Sequence, residues 1–161
     1  MAYFWMRWSC VEEFGMDDNM ILKEMYEIAE RLLKKRYPVD WGCAAVVRAI
    51  DGRYFTSVYM DAISCSVELC FETGAILEAH KEDVFCTHSL SIMREDERSP
   101  IKIAIPCGVC QERLRYWGST FKVAMQKGEK AEFITLKDIS PNHWTDIYPK
   151  EAIHDYFYYH K

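Results

Sequence analysis

Apolar residues recur at helical spacing over residues 17–37: Ile21, Leu22, Met25, Ile28, Ala29, Leu32 and Leu33 share one stripe. Acidic residues lead that segment and Lys34, Lys35 and Arg36 trail it, the order the helix macrodipole favours. The stripe predicts an amphipathic helix, ended by Pro38. The pattern then changes. CAAVVRAI and RYFTSVYM, rich in β-branched and aromatic residues, flank Asp51-Gly52 and predict a hairpin. CFETGAILEAHK, from Cys70, reads as a helix and VFCTHSLSIM as a buried strand; CGVCQERLRYW, from Cys107, is a further helix closed by Gly118. FKVAMQ and AEFITL are joined only by Lys127-Gly128-Glu129-Lys130. A parallel crossover needs about a dozen residues, so these last two strands must pair antiparallel. Beyond them, Ser140-Pro141 reads as a helix start. Residues 145–161 then form an aromatic C-terminal helical extension, with Ile153, Tyr156 and Phe157 on one face for the core or another subunit.

Alternating helices and strands predict a layered α/β sheet. With 161 residues, half of them hydrophobic, the chain fits one domain spanning 1–161. The net charge of −5 is spread with mixed signs, which leaves no basic stripe for a nucleic-acid backbone, so no polynucleotide partner is expected. Near the amino terminus Arg7 and Glu12 interrupt the aromatic run MAYFWMRWSCVEE, leaving no apolar stretch of signal-peptide or membrane length. Seven cysteines, several inside apolar runs, fit reduced thiols with a metal-bound subset better than a disulfide framework. A cytoplasmic protein without a membrane partner is the expectation.

Those thiols carry the candidate chemistry. Cys107 and Cys110, three apart on a first helical turn, point the same way, and the positive end of the helix favours thiolate. Such a pair suits a redox dithiol or a zinc site equally. The rest of the chain discriminates, because a redox pair wants no further ligands and a structural zinc wants two. Cys70, at another helix start, offers one more, with Glu72 two residues on. Three ligands leave one position open for water, and an unligated carboxylate beside it can move the proton.

Cys70-Phe71-Glu72 and Pro106-Cys107-Gly108-Val109-Cys110, with a strand between them, resemble the cytidine deaminase superfamily pattern of His or Cys, any residue, Glu, and later Pro-Cys-x-x-Cys. The class acting on free nucleosides, which includes cytidine deaminase and blasticidin S deaminase, is more similar still. WGCAAVVRAIDGRYFTSV looks like its F-x-V-G-A-A and D-G-R-x-F-x-G stretch, and TLKDISPNHW looks like its T-L-x-E-L-L-P-x-x-F. The likeness runs from about Arg31 to Trp144.

The resemblance implies a three-layer α/β/α sandwich around a mixed five-stranded sheet. It implies one zinc per chain held by Cys70, Cys107 and Cys110, with Glu72 as the catalytic proton shuttle. The activity implied is hydrolytic deamination of an aminopyrimidine nucleoside or base, releasing ammonia. Two other readings remain: a deaminase of a modified cytosine nucleoside antibiotic or another amino-heterocycle, and a catalytically silent zinc-containing binding protein. Trp41 and Trp144 fall where the family has phenylalanines near the base. Tyr59 and Asp61 fall on its ribose-binding Asn-x-Glu, and Phe71 replaces a small residue whose backbone faces the substrate. These five are the expected substrate-binding residues. Thr73 and Gln111 stand where the family has arginines, so the charge of three thiolates must be offset elsewhere, by Arg113 or by helix dipoles. A homodimer or homotetramer is implied by the same resemblance.

Overall fold

The computed structural model describes residues 17–148. Helix α1, Asp18–Arg36, buries Ile21, Met25, Ala29 and Leu33, successive positions four apart on the predicted stripe. Its end is local chemistry. Tyr37, the residue before Pro38, is driven out of helical geometry, and its amide closes the helix on the Leu33 carbonyl at 2.8 Å.

Strands β1 (Gly42–Ala49) and β2 (Tyr54–Val58) form the predicted hairpin, with Gly52 at φ +88° in the turn. Helix α2, Thr73–Lys81, leads into β3, Cys86–Arg94. Helix α3, Gly108–Leu114, runs on as a 3-10 turn to Trp117. The last pair, β5 (Lys122–Lys127) and β6 (Lys130–Thr135), is antiparallel as its short link requires.

The sheet has one strand more than the five expected. Lys102–Ala104, here β4, pairs antiparallel with β3 at Ser91 to Met93, while β5 pairs parallel with β3 at His88 and Ser89. A strand of three residues, closed in between Pro100 and Pro106, is shorter than the runs by which a strand is recognised, which is why the sequence pattern did not reveal it. The long path runs β2-β1-β3-β5-β6, so the sheet is mixed.

Its two faces carry separate cores. Ile21, Met25, Ala29 and Leu33 of α1 meet Ala44, Val46, Leu90 and Ile92 on one face. Val47, Phe55 and Val123 meet Ala75, Ile76, Ala79 and Leu114 of α2 and α3 on the other. The three-layer α/β/α order is therefore real. Strand β1, covered on both sides, reads as a nearly continuous apolar run.

Ser140-Pro141 does not start a helix. The preceding helix α4, Leu136–Ile139, is opened by a capping box in which Thr135 and Asp138 bond each other's backbone amides, and Ser140 closes it. A 3-10 turn, Trp144–Ile147, comes next, capped by the His143 ring. The extension beyond, with Ile153, Tyr156 and Phe157, lies outside the described residues.

Candidate active site

Two helix starts face each other above β3. Cys70 and Glu72 immediately precede α2, and Thr73 N–H donates to the Cys70 carbonyl at 2.9 Å, which turns the chain into the helix. Cys107 caps α3 in extended geometry, and Cys110 lies inside its first turn. One ligand atom from each of Cys70, Glu72, Cys107 and Cys110 lies within 4.8 Å of all the others. These four sequence-expected residues are brought together.

Glu72 is 0% exposed. Burial pushes its carboxyl up to about 7, opposed by hydrogen bonds from Cys110 and from Ser91, whose Oγ donates to Oε1 at 3.0 Å. The Cys70 Sγ lies 3.9 Å from Glu72 Oε2. Cys70 is held toward thiolate, at about 5, first by the Cys110 thiol and then by the backbone amide of Glu72, the Cys107 thiol and the amide of Phe71. Cys110, the donor in that pair, moves the other way.

The donor set fits zinc. Three thiolates at about 2.3 Å from a tetrahedral zinc sit about 3.8 Å apart, and the Cys70 and Cys107 sulfurs are 3.9 Å apart. A redox dithiol has no use for a third thiol. The other cysteines described stand apart from the cluster: Cys43 and Cys86 are buried, their thiols pushed up to about 12 mainly by burial, and Cys65 faces solvent.

The expected substrate contacts are spread more widely. Trp41 is 40% exposed and meets Tyr59 edge-on, with centroids 5.5 Å apart. The Tyr59 hydroxyl donates to Glu68, and Asp61 is exposed on the same loop. Phe71 is half-buried, and its carbonyl accepts from the Ser57 hydroxyl. Trp144, 60% exposed, is tied to the outside of α3, its Nε1 donating to Glu112 at 3.0 Å while His143 holds the other carboxylate oxygen at 2.7 Å.

Sequence reasoning missed Ser57, Glu68, Ser91 and Glu112. All are ordinary polar residues, and only pairing and packing bring them to these partners. Arg113, foreseen as a candidate counter-charge, donates to Thr73 at 2.8 Å and so joins α3 to α2 beside Glu72.

An α/β/α sandwich presenting three thiols and a buried carboxyl from paired helix starts defines a cysteine-rich domain able to chelate a metal. The crystal structure of the cytidine deaminase from Bacillus anthracis superposes with a TM-score of 0.77 at 48% identity, covering 84% of this chain and 94% of that one. The chain belongs to the cytidine deaminase superfamily. The cytidine deaminases of Mycobacterium leprae and Burkholderia pseudomallei, at 18% and 17% identity, share the fold with TM-scores of 0.60 and 0.60. They cover 75% and 76% of this chain, and it covers 98% and 98% of theirs. No family model matches the sequence, and no curated protein does. Among the described residues no helix is long and apolar enough to cross a membrane.

Proposed function

We propose that the protein hydrolytically deaminates an aminopyrimidine nucleoside or base, releasing ammonia, with one zinc held by Cys70, Cys107 and Cys110. One observation carries the reading: a carboxyl without exposed surface stands among three thiols. The chemistry such a metal supplies is Lewis acidity, which makes water nucleophilic near neutral pH. Glu72 accepts a proton from the attacking water and gives one to the ring nitrogen beside the amino-bearing carbon. It then carries the next proton to the departing ammonia. Burial disfavours the ionised form of Glu72, so the carboxyl can hold a proton and return it, acting as base and acid in turn. Burial of Glu72 between α2 and β3 keeps bulk water from competing for its proton.

Trp41, Tyr59, Asp61, Phe71 and Trp144 are the substrate contacts of this reading, Trp41 and Trp144 by stacking. Association into a homodimer or homotetramer belongs to it as well; the exposed Ile63, Val67, Val109 and Trp144 suit such contacts. Reduced thiols fit a cytoplasmic site.

A modified cytosine nucleoside is a second reading, favoured by Tyr59. Its hydroxyl is engaged by Glu68 and its ring by Trp41, at the position where the resemblance implies a sugar-binding amide. Ammonia release by zinc-analysed protein, measured on cytosine, cytidine, deoxycytidine and blasticidin S, separates the readings. Glu72→Ala is expected to retain zinc and fold while losing essentially all turnover. Retained turnover removes Glu72 from the mechanism, and zinc-loaded parent protein that releases ammonia from nothing supports the silent binding protein.

A further inference from the structure

Beneath the start of α2 the sheet presents one row of small side chains. Ser57 on β2 pairs with Ala45 on β1, Ala45 with Ser91 on β3, and Ser91 with Ala104 on β4. Residues paired across strands in this way share a face. The row meets α2 at three points. The Ser57 hydroxyl donates to the Phe71 carbonyl, the Ser91 hydroxyl donates to Glu72 Oε1 at 3.0 Å, and Gly74 approaches so closely that a Cβ there would lie 2.8 Å from Ser57 Cβ.

We infer that Ser91 is the positioning residue of the site: its hydroxyl, fixed in a central strand, holds the Glu72 carboxyl facing the thiols, while Ser57 holds the backbone one residue before it. A Glu side chain turns about three bonds, so a proton carrier that must meet both water and a ring nitrogen gains from an anchor that cannot itself move. Ser91 supplies one. It is 1% exposed and paired on both sides, to Ala45 and Ala104, within the ladder. Ser89, two residues earlier in the same strand, is equally buried at 1%, but its Oγ has no hydrogen-bond partner. It provides an internal control with the same chemistry and burial and no tie to Glu72.

The inference rests on Glu72 as the proton carrier, and its test separates the two. In full-length zinc-loaded protein, Ser91→Ala is expected to lower kcat about tenfold to a hundredfold, the usual effect of removing an outer hydrogen-bond partner at a metal site. KM and zinc content stay at the parent values. In the same variant the Glu72 side-chain carboxyl 13C resonance, assigned by its absence in Glu72→Gln, shifts. Ser89→Ala leaves both readouts unchanged. An unshifted resonance in Ser91→Ala, or an equal shift in Ser89→Ala, overturns the positioning role. If the parent deaminates nothing, the functional reading fails, and the resonance still decides whether Ser91 holds the carboxyl.

Discussion

A carboxyl taken fully out of water resists ionising by several kcal/mol unless donors answer its charge. Glu72 has the Ser91 hydroxyl and the Cys110 thiol, enough to stop its rise near 7 rather than higher. The cysteines divide labour similarly. Cys70 and Cys110 are at least half-buried, whereas Cys107 caps α3 in the open. Cys107→Ala therefore leaves the apolar core untouched and removes only a ligand. We expect loss of stoichiometric zinc in elemental analysis together with a lower thermal midpoint, since metal binding at such sites is coupled to folding. Full zinc content in that variant would mean the ligand set is wrong. At this scale the sequence was most informative where chemistry is rare: Cys70, Glu72, Cys107 and Cys110 stand out by type and spacing. Ser91 could not, because a serine in an apolar strand looks the same whether its hydroxyl finds a carboxylate or, like that of Ser89, nothing.

Among the elements, α2 is the one whose seating decides the site. Gly74 in its first turn raises a conflict of magnitudes. Replacing an exposed helical glycine by alanine ordinarily stabilises by about 1 kcal/mol. Here the new Cβ would meet Ser57 Cβ at 2.8 Å, two strand- and helix-bound atoms that cannot rotate aside. Overpacking of this kind costs about 1–3 kcal/mol. Gly74→Ala should thus be less stable than the parent in chemical denaturation, with kcat reduced because the start of α2 lifts from the sheet; equal or greater stability would show that α2 slides freely. Elements with many repeats of their period were legible: α1 from its stripe, the last hairpin from a four-residue link. Short ones were not. Strand β4 has three residues, and Ser140-Pro141 carries a helix-start signal that the Thr135–Asp138 capping box pre-empts by five residues.

On the scale of the whole molecule, α1, β3 and β5 meet at His88. Its ring is 6% exposed, lies edge-on to Phe133, and bonds Thr87 Oγ1 through Nδ1 at 2.8 Å. Nε2 stands 3.4 Å from Asp18 Oδ1 without completing a hydrogen bond. Burial and then the charge of Lys122 outweigh Asp18 and lower the ring to about 4 from 6.5. Between those values the unfolded chain binds a proton that the fold refuses, so this contribution is complete above pH 6.5 and is lost as the pH falls toward 4. The loss is on the order of 3 kcal/mol. Unfolding free energies of parent and His88→Leu should therefore diverge across that window, the parent falling more steeply; parallel curves would exclude His88. Both proteins share the cysteine cluster, so its own acid lability cancels. Sequence alone determined the helix stripe, the hairpins, the α/β class and the four residues of the cluster, because each follows from local periodicity, loop length or the chemistry of neighbouring side chains. Only the tertiary structure decided that Ser57, Ala45, Ser91 and Ala104 form one row under Glu72, and that Trp144 is tied to Glu112. Those relations join residues far apart in the chain, and strand register and layer packing, which no local pattern encodes, set them.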